Sequence, residues 1–336
     1  MRTGGRRDEG RLRPARRRGM IRFALLHFLG LLATILVAAI IVFLMLDLLP
    51  GDPARFILGA NASPEAIAAL RQQLGLDASA FARFFGWLGG MFTGNFGIST
   101  AQGVPAGQMI AGGLGVTLPL VFLSALLSAL IGLPLGILAG LKRGSLADTI
   151  LMGLARVGMA TPNFWFGMLL VLLFSVTLRW LPPGGFVPWG ENPLGALGSL
   201  VMPTLALALP QAAILARTAR DTLVDVESSD YIRAARGKGL TLRNALRSHG
   251  TGNLLLPILK ILGIQFAYLT AGTVIVENVF YLPGLGRMIF DAIAARDLVV
   301  VRGGVIMLVL LMAVLVFLAD IATGLADPRL RTRSAT

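Results

Sequence analysis

The side chains able to do chemistry are few and poorly placed for it. In 336 residues lysine occurs three times (Lys142, Lys238, Lys260), histidine twice (His27, His249) and cysteine not at all. A nucleotide-binding loop needs GxxxxGK[ST], whose backbone N–H groups and lysine hold the phosphates. Only Lys238 has flanking glycines, in Gly237-Lys238-Gly239-Leu240, and it lacks both the following Ser or Thr and the glycine spacing. The histidines stand far apart without HExxH company, and GxSxG is absent. Zinc-peptidase and serine-hydrolase chemistry therefore have no matching motif. Without thiols, disulfides and thiolate metal sites are excluded. No catalytic, cofactor-binding or metal-ligating residue is expected in this chain.

Chemistry is scarce because most of the chain is apolar, in long blocks. Hydrophobic residues make up 55 % and charged residues 14 %, with mean hydropathy +0.77; a soluble domain carries about a quarter charged residues. A hydrocarbon core about 30 Å thick takes roughly 20 apolar residues in a helix. Six stretches qualify, at about 23–46, 117–141, 150–178, 199–216, 254–276 and 303–324. The third is the longest and holds Arg156; the fourth is the shortest and holds Pro203 and Pro210. The expected fold is all-α, a polytopic membrane protein with six transmembrane helices.

Lys and Arg set the orientation, because cytoplasmic loops carry the excess. Segments 1–22, 142–149, 217–253 and 325–336 hold 21 basic residues, against 7 in 47–116, 179–198 and 277–302. Both termini, including the tail 325–336, are therefore expected in the cytoplasm, and 47–116 outside. The net charge of +13 reads as this topology signal, not as a nucleic-acid footprint. Residues 1–22 are a basic extension without apolar pattern, expected to be disordered; Met20 is a candidate translation start. The stretch after Arg22 exceeds the apolar core of a cleaved signal peptide, about 7–15 residues, and is expected to stay as the first span.

Two soluble segments carry helix signals. In 47–116, Ser63-Pro64-Glu65 opens a helix that ends near Gly75. The rings and apolar residues from Phe81 to Phe92 suit a helix at the membrane interface, or one packed on the protein's own outer mouth. In the loop 217–253, Ser228 or Ser229 can cap a helix whose first turn holds Asp230. Tyr231, Ala234, Ala235 and Lys238 fall on one face at i, i+3, i+4 and i+7, and Gly239 is a natural stop. The two alanines leave that face flat. Insertion into a partner's groove and a plain solvated helix both fit the pattern.

These residues carry a resemblance. RAARGKGL (Arg233 to Leu240), followed by His249, Asn253 and Leu255-Leu256-Pro257, resembles the EAA loop of ABC importer permeases, most nearly the dipeptide/oligopeptide and nickel branch and its first-permease subunit. Arg233 takes the Glu position of the general motif, as is usual in that branch, with Ala234 and Ala235 as the alanines and Gly239 as the glycine. Seven further stretches resemble the branch in order: LLPGDPA (Leu48 to Ala54), LGLD (Leu74 to Asp77), GNFGIS (Gly94 to Ser99), TPNFW (Thr161 to Trp165), PPGGF (Pro182 to Phe186), VENVFYLPGLGR (Val276 to Arg287) and DPRLR (Asp327 to Arg331). The likeness spans about residues 20–331. Gly250-Thr251-Gly252 departs from the family's Ala-Leu-Arg helix, and each glycine costs about 1 kcal/mol there relative to Ala, so a bend or fraying is expected before the fifth span.

The resemblance implies a type I ABC importer permease fold in a bacterial inner membrane, for di- or oligopeptides or a similar small solute. It implies a homologous second permease, two ATP-binding cassette subunits that hold the ATP and Mg, and an extracytoplasmic solute-binding protein. ATPase coupling would fall to Asp230, Tyr231, Arg233, Ala234, Ala235, Lys238 and Gly239. For the translocation path, Asn163, Gln211 and Gln265 are the polar span residues singled out; helix–helix hydrogen bonding fits them equally well. Arg156 and Lys260, near cytoplasmic ends, read as snorkelling cations. Glu277, Asn278 and Arg287 read as a loop dipping toward the outer mouth. A gradient-driven transporter or channel is the main alternative, but no repeat and no paired membrane carboxylate supports it. A membrane enzyme would need a cluster such as HExxH or GxSxG, and an export-type ABC permease would usually be fused to its ATPase and lack this loop.

Overall fold

The computed structural model describes residues 9–47, 53–59, 62–73, 75 and 77–326. The DPRLR stretch, most of the 325–336 tail and most of LLPGDPA lie outside the described residues. Those described form thirteen α-helices and no strand. Five helices are long and apolar enough to cross a membrane: α1 (Glu9–Asp47), α5 (Ala106–Leu141), α8 (Pro193–Glu227), α11 (Thr251–Val279) and α13 (Leu298–Ala326). α6 (Leu146–Ala160) and α7 (Asn163–Leu170), the latter continued by a π-helical stretch through Thr177, are long and apolar enough only when taken together, as a bent pair with the geometry of a broken span or a re-entrant loop.

The break corrects the single span expected at 150–178. The two halves meet at 103°. Proline drives the preceding residue out of the helical region, and Thr161 has φ −86°, ψ 122° just before Pro162. The Thr161 hydroxyl donates to Val157 O at 2.8 Å, occupying a carbonyl at the broken end.

Helix ends are set by caps rather than by the edge of the apolar stretch. α8 starts at Pro193 because Asn192 Oδ1 accepts from Gly195 N–H at 3.0 Å, with proline at the first helical position. It runs on to Glu227, so residues 217–227, read as loop, are helix. Likewise the helix of α1 begins at Glu9, ahead of its apolar span Arg22–Asp47, which matches the one expected at 23–46; arginine is a good helix former, and residues 9–21 are helical where disorder was expected.

α5 and α8 make the central contact. Gly132, Gly136 and Gly140 of α5 lie against Ala212, Ala216 and Leu223 of α8. A Cβ on Gly132 would stand 2.6 Å from Ala212 O, one on Gly140 2.8 Å from Leu223 Cδ2, and one on Gly136 would overlap Ala216 O. Lipid tails are as apolar as leucine, so helices associate by close packing, which small residues at four-residue spacing permit. Leu120, Val121, Leu200, Leu207, Leu269 and Phe280 continue the core between α5, α8 and α11.

The segment after the first span folds into α2 (Pro53–Leu58), α3 (Pro64–Gln73) and α4 (Ala80–Phe92). α3 starts as expected, with Ser63 Oγ accepting from Ala66 N–H. α4 divides its aromatic residues: Phe84 and Trp87 pack on Phe43 of α1, while Phe81, Phe85 and Phe92 are exposed. One face of the helix thus packs on the protein's own first span, and the other carries its rings on the surface. The following loop is pinned by Asp297, which accepts from Ser99 Oγ at 2.5 Å, Ala101 N–H at 3.2 Å and Val300 N–H at 3.2 Å.

Two predictions follow from this packing. Gly136→Ala should cost at least about 2 kcal/mol through overpacking and lower the thermal midpoint of the purified protein; Gly112→Ala, whose added Cβ meets nothing within 4 Å, should be neutral. Burial pushes the Asp297 carboxyl up, but the hydrogen bonds from Ser99 and from backbone N–H groups outweigh it and hold the group below the usual carboxylate range. A depressed carboxylate stabilises above its unfolded value of about 4, and that contribution is lost as pH falls through the folded value. Amide exchange in 97–104, corrected for intrinsic rate, should therefore accelerate below about pH 4, and the Asp297→Asn protein should lack that step.

Candidate coupling surface at the basic end of the bundle

The helix expected in the 217–253 loop forms as α9 (Asp230–Gly237). Ser229 takes the capping position, but its hydroxyl donates back to Val226 O at 2.5 Å instead of accepting from the helix. The other end is a Schellman motif: Gly239 has φ +90°, its N–H reaches Arg236 O at 2.9 Å, and Leu240 N–H reaches Ala235 O at 3.3 Å. Gly239 is thus the stop that was expected, because only glycine enters that left-handed turn freely.

The face of α9 is not the one the spacing suggested. Ile232 is fully buried and Ala235 nearly so, packed with Leu223 and Val226 of α8 and with Ala245 and Leu246. Asp230, Tyr231, Arg233, Ala234, Lys238 and Gly239 are exposed. Ala235 therefore belongs to the anchoring side, which corrects its place on a flat outer face. The reason is Ile232: as the large apolar residue of α9 it fixes the inward direction, and Ala235 lies one turn on.

Three ties fasten α9 to the spans. Arg233 Nε and Nη2 donate to Ser228 O, at 3.0 and 2.6 Å, clamping the carbonyl at the end of α8. Asn253 Nδ2 of α11 donates to the Tyr231 hydroxyl at 2.8 Å. The Ile232 cluster is the third. Between α9 and α11 runs α10 (Leu242–Ala245) and a π-helical turn, Leu246–Gly250. The glycine-rich stretch therefore stays helical, with the expected irregularity confined to the π turn. Gly250 has a packing reason, since a Cβ there would lie 3.1 Å from Val226 Cγ1.

A further ion pair at this end was missed in the sequence. Arg220 of α8 grips Asp148 of α6 with two hydrogen bonds, Nε to Oδ1 at 2.7 Å and Nη2 to Oδ2 at 2.8 Å, and Gly144 N–H adds a third at 3.0 Å. Ser145-x-x-Asp148, an N-terminal capping pattern, was the available signal. Arg143, Arg233 and Arg236 line a polar cleft between α5, α8 and α9.

The three polar span residues do not converge. Gln265 of α11 donates to Gln211 O of α8 at 2.8 Å, and both side chains are buried. Gln265 thus makes a helix–helix hydrogen bond. Asn163, the first residue of α7, meets α11 elsewhere, beside Gly272. Arg156 and Lys260 are exposed. Glu277 and Asn278, expected in a loop, close the last turn of α11, with Glu277 fully buried; Arg287 lies on α12 (Leu285–Ala294).

Five long apolar spans, a bent helix pair and a short anchored helix between α8 and α11 are the architecture of a polytopic membrane protein. Comparison with known proteins agrees. Residues 132–332 match the family described as binding-protein-dependent transport system inner membrane component, and residues 20–108 match its N-terminal companion. A putative peptide transport system permease of Brucella abortus is 42 % identical over 88 % of this chain and 94 % of its own. The glutathione transport system permease GsiC of Salmonella choleraesuis is 36 % identical over 93 % and 99 %. Among solved structures, the inward-facing MetNI methionine ABC transporter matches with TM-score 0.50 and 19 % identity, over 66 % of this chain and 97 % of that one, a likeness of fold. The chain belongs to the family of binding-protein-dependent transport system inner membrane components.

The division of α9 into two faces is testable. Ala235→Leu should overpack the anchor by about 1–3 kcal/mol and speed amide exchange across 230–237. Ala234→Leu, on the exposed face, should stay within about 0.5 kcal/mol of wild type.

Proposed function

We propose that this chain is the non-catalytic permease of an ABC-type importer for peptides or a similar small solute, in a bacterial inner membrane with both termini cytoplasmic. The observation that carries the reading is α9, a short helix with one face anchored and the other open, at the end of the bundle where basic residues collect. Relatives named for peptide and glutathione transport support the solute class. The partners are a homologous second permease, two ATP-binding subunits holding ATP and Mg, and an extracytoplasmic solute-binding protein.

In this account Asp230, Tyr231, Arg233, Ala234, Lys238 and Gly239 form the surface that meets an ATPase subunit, and Ala235 supports it from within. When the ATPase pair closes, α9 is displaced. Its ties to Ser228, Asn253 and the Ile232 cluster pass the displacement to α8 and α11 as a rigid-body motion. Asn163, Gln211 and Gln265 remain the polar candidates along the path, Gln265 holding α11 on α8.

Proteoliposomes containing the chain with its co-purified partners should take up a labelled dipeptide or glutathione only with ATP on the α9 side. Ala234→Leu should lower that uptake about tenfold, a coupling loss within the usual range, while the complex still assembles. Uptake driven by an ion gradient without any ATP-hydrolysing subunit would contradict the proposal and favour a self-sufficient transporter.

A further inference from the structure

At the end of the bundle opposite α9, one buried carboxylate joins three elements. Glu277, in the last turn of α11, is fully buried. Its Oε1 accepts from the Thr117 hydroxyl of α5 at 2.6 Å. Its Oε2 accepts from two N–H groups in the first turn of α12, Gly286 at 2.7 Å and Arg287 at 3.2 Å. Thr117 Oγ1 in turn accepts from Leu285 N–H at 2.9 Å. The first N–H groups of a helix have no partner within it; here a glutamate from one span and a threonine from another supply them. The guanidinium of Arg287 turns away, to the Tyr281 ring at 4.5 Å and Asp291 at 3.6 Å.

The backbone is shaped around this carboxylate. A Cβ on Gly284 would overlap Glu277 Cδ, one on Gly286 would overlap Val274 Cα, and one on Gly113 of α5 would lie 2.9 Å from Leu285 N. The turn between α11 and α12 holds Tyr281 at φ +55°, a left-handed conformation that a tyrosine keeps only where its surroundings enforce it. α12 then forms one wall of a cleft of about 750 Å³, with Pro283, Arg287, Met288 and Asp291 facing Val116 and Trp189.

We infer that Glu277 is a positioning residue, a latch that fixes α12 on α5 and so sets the wall of this cleft. Releasing it frees α12 while the rest of the bundle stays folded. The inference rests on the fold, not on the proposed solute or partners, so it can fail or stand independently of them.

The chain has no cysteine, so a single introduced thiol reports one place. Val116→Cys, 3 % exposed beneath α12, and Ala245→Cys, fully buried at the opposite end, would be labelled with a maleimide in membranes holding the full chain. Glu277→Ala should raise labelling of Val116→Cys about tenfold or more, since buried N–H groups lose their acceptor and the helix opens locally. Ala245→Cys should stay protected. Glu277→Gln should restore most of the protection, because its carbonyl accepts from the N–H groups and its amide donates to Thr117. Thr117→Ser should behave as wild type and Thr117→Val should open the cleft, which keeps the test available if Glu277→Ala yields no folded protein. Unchanged labelling of Val116→Cys in Glu277→Ala and Thr117→Val, or equal loss of protection at Ala245→Cys, would overturn the inference.

Discussion

The structure depends on how closely α5 and α8 approach. In a bilayer, burying apolar side chains between helices gains little, because the lipid is equally apolar; contact must come from packing and from polar groups that satisfy each other. Gly132, Gly136 and Gly140 bring no side chain of their own to the seam, so the backbone of α5 rests on Ala212, Ala216 and Leu223 of α8. That seam turns two spans into one stiff unit. α5 presents Thr117 toward α11 and α12 at one end of it, and α8 carries Arg220 and the anchor of α9 at the other.

Polar groups then act where packing alone leaves freedom. Arg220 and Asp148 fasten α6 to α8 with geometry no single charge would impose. Arg233 spends its guanidinium on the Ser228 carbonyl rather than on a carboxylate: Asp230 lies 3.6 Å away and both side chains are largely exposed, an arrangement worth little in solvent. A guanidinium can hold that carbonyl because it only donates; a carboxylate at the same position, which only accepts, could not.

The five long spans were legible in the sequence, because their signal is about twenty apolar residues in a row. So were the start of α3 at Ser63 and the stop at Gly239, since capping and left-handed turns are local chemistry. The break at Thr161-Pro162 was not read, although proline was visible, because proline can also kink a continuous helix. Ala235 was placed on the wrong face because four positions in a two-turn helix cannot fix a rotation angle; Ile232 does so only through α8 and α10. The glycine seam, the Asp148–Arg220 pair and the Glu277 latch join residues far apart in the chain, and periodicity within one helix carries no trace of such pairings. Glu277 was read as loop because hydropathy ends a span where a charge begins, whereas its hydrogen bonds let α11 close around it.

Transmission through the anchored face requires that α9 move as part of α8. Spin labels at Asp225→Cys on α8 and Arg236→Cys on α9, in the otherwise cysteine-free chain within its full complex, report their separation directly. A single narrow distance, unchanged between the nucleotide-free and ATP-bound states, is the predicted result. A distance that broadens or shifts with ATP would show α9 swinging free of α8, and would contradict transmission through the anchored face.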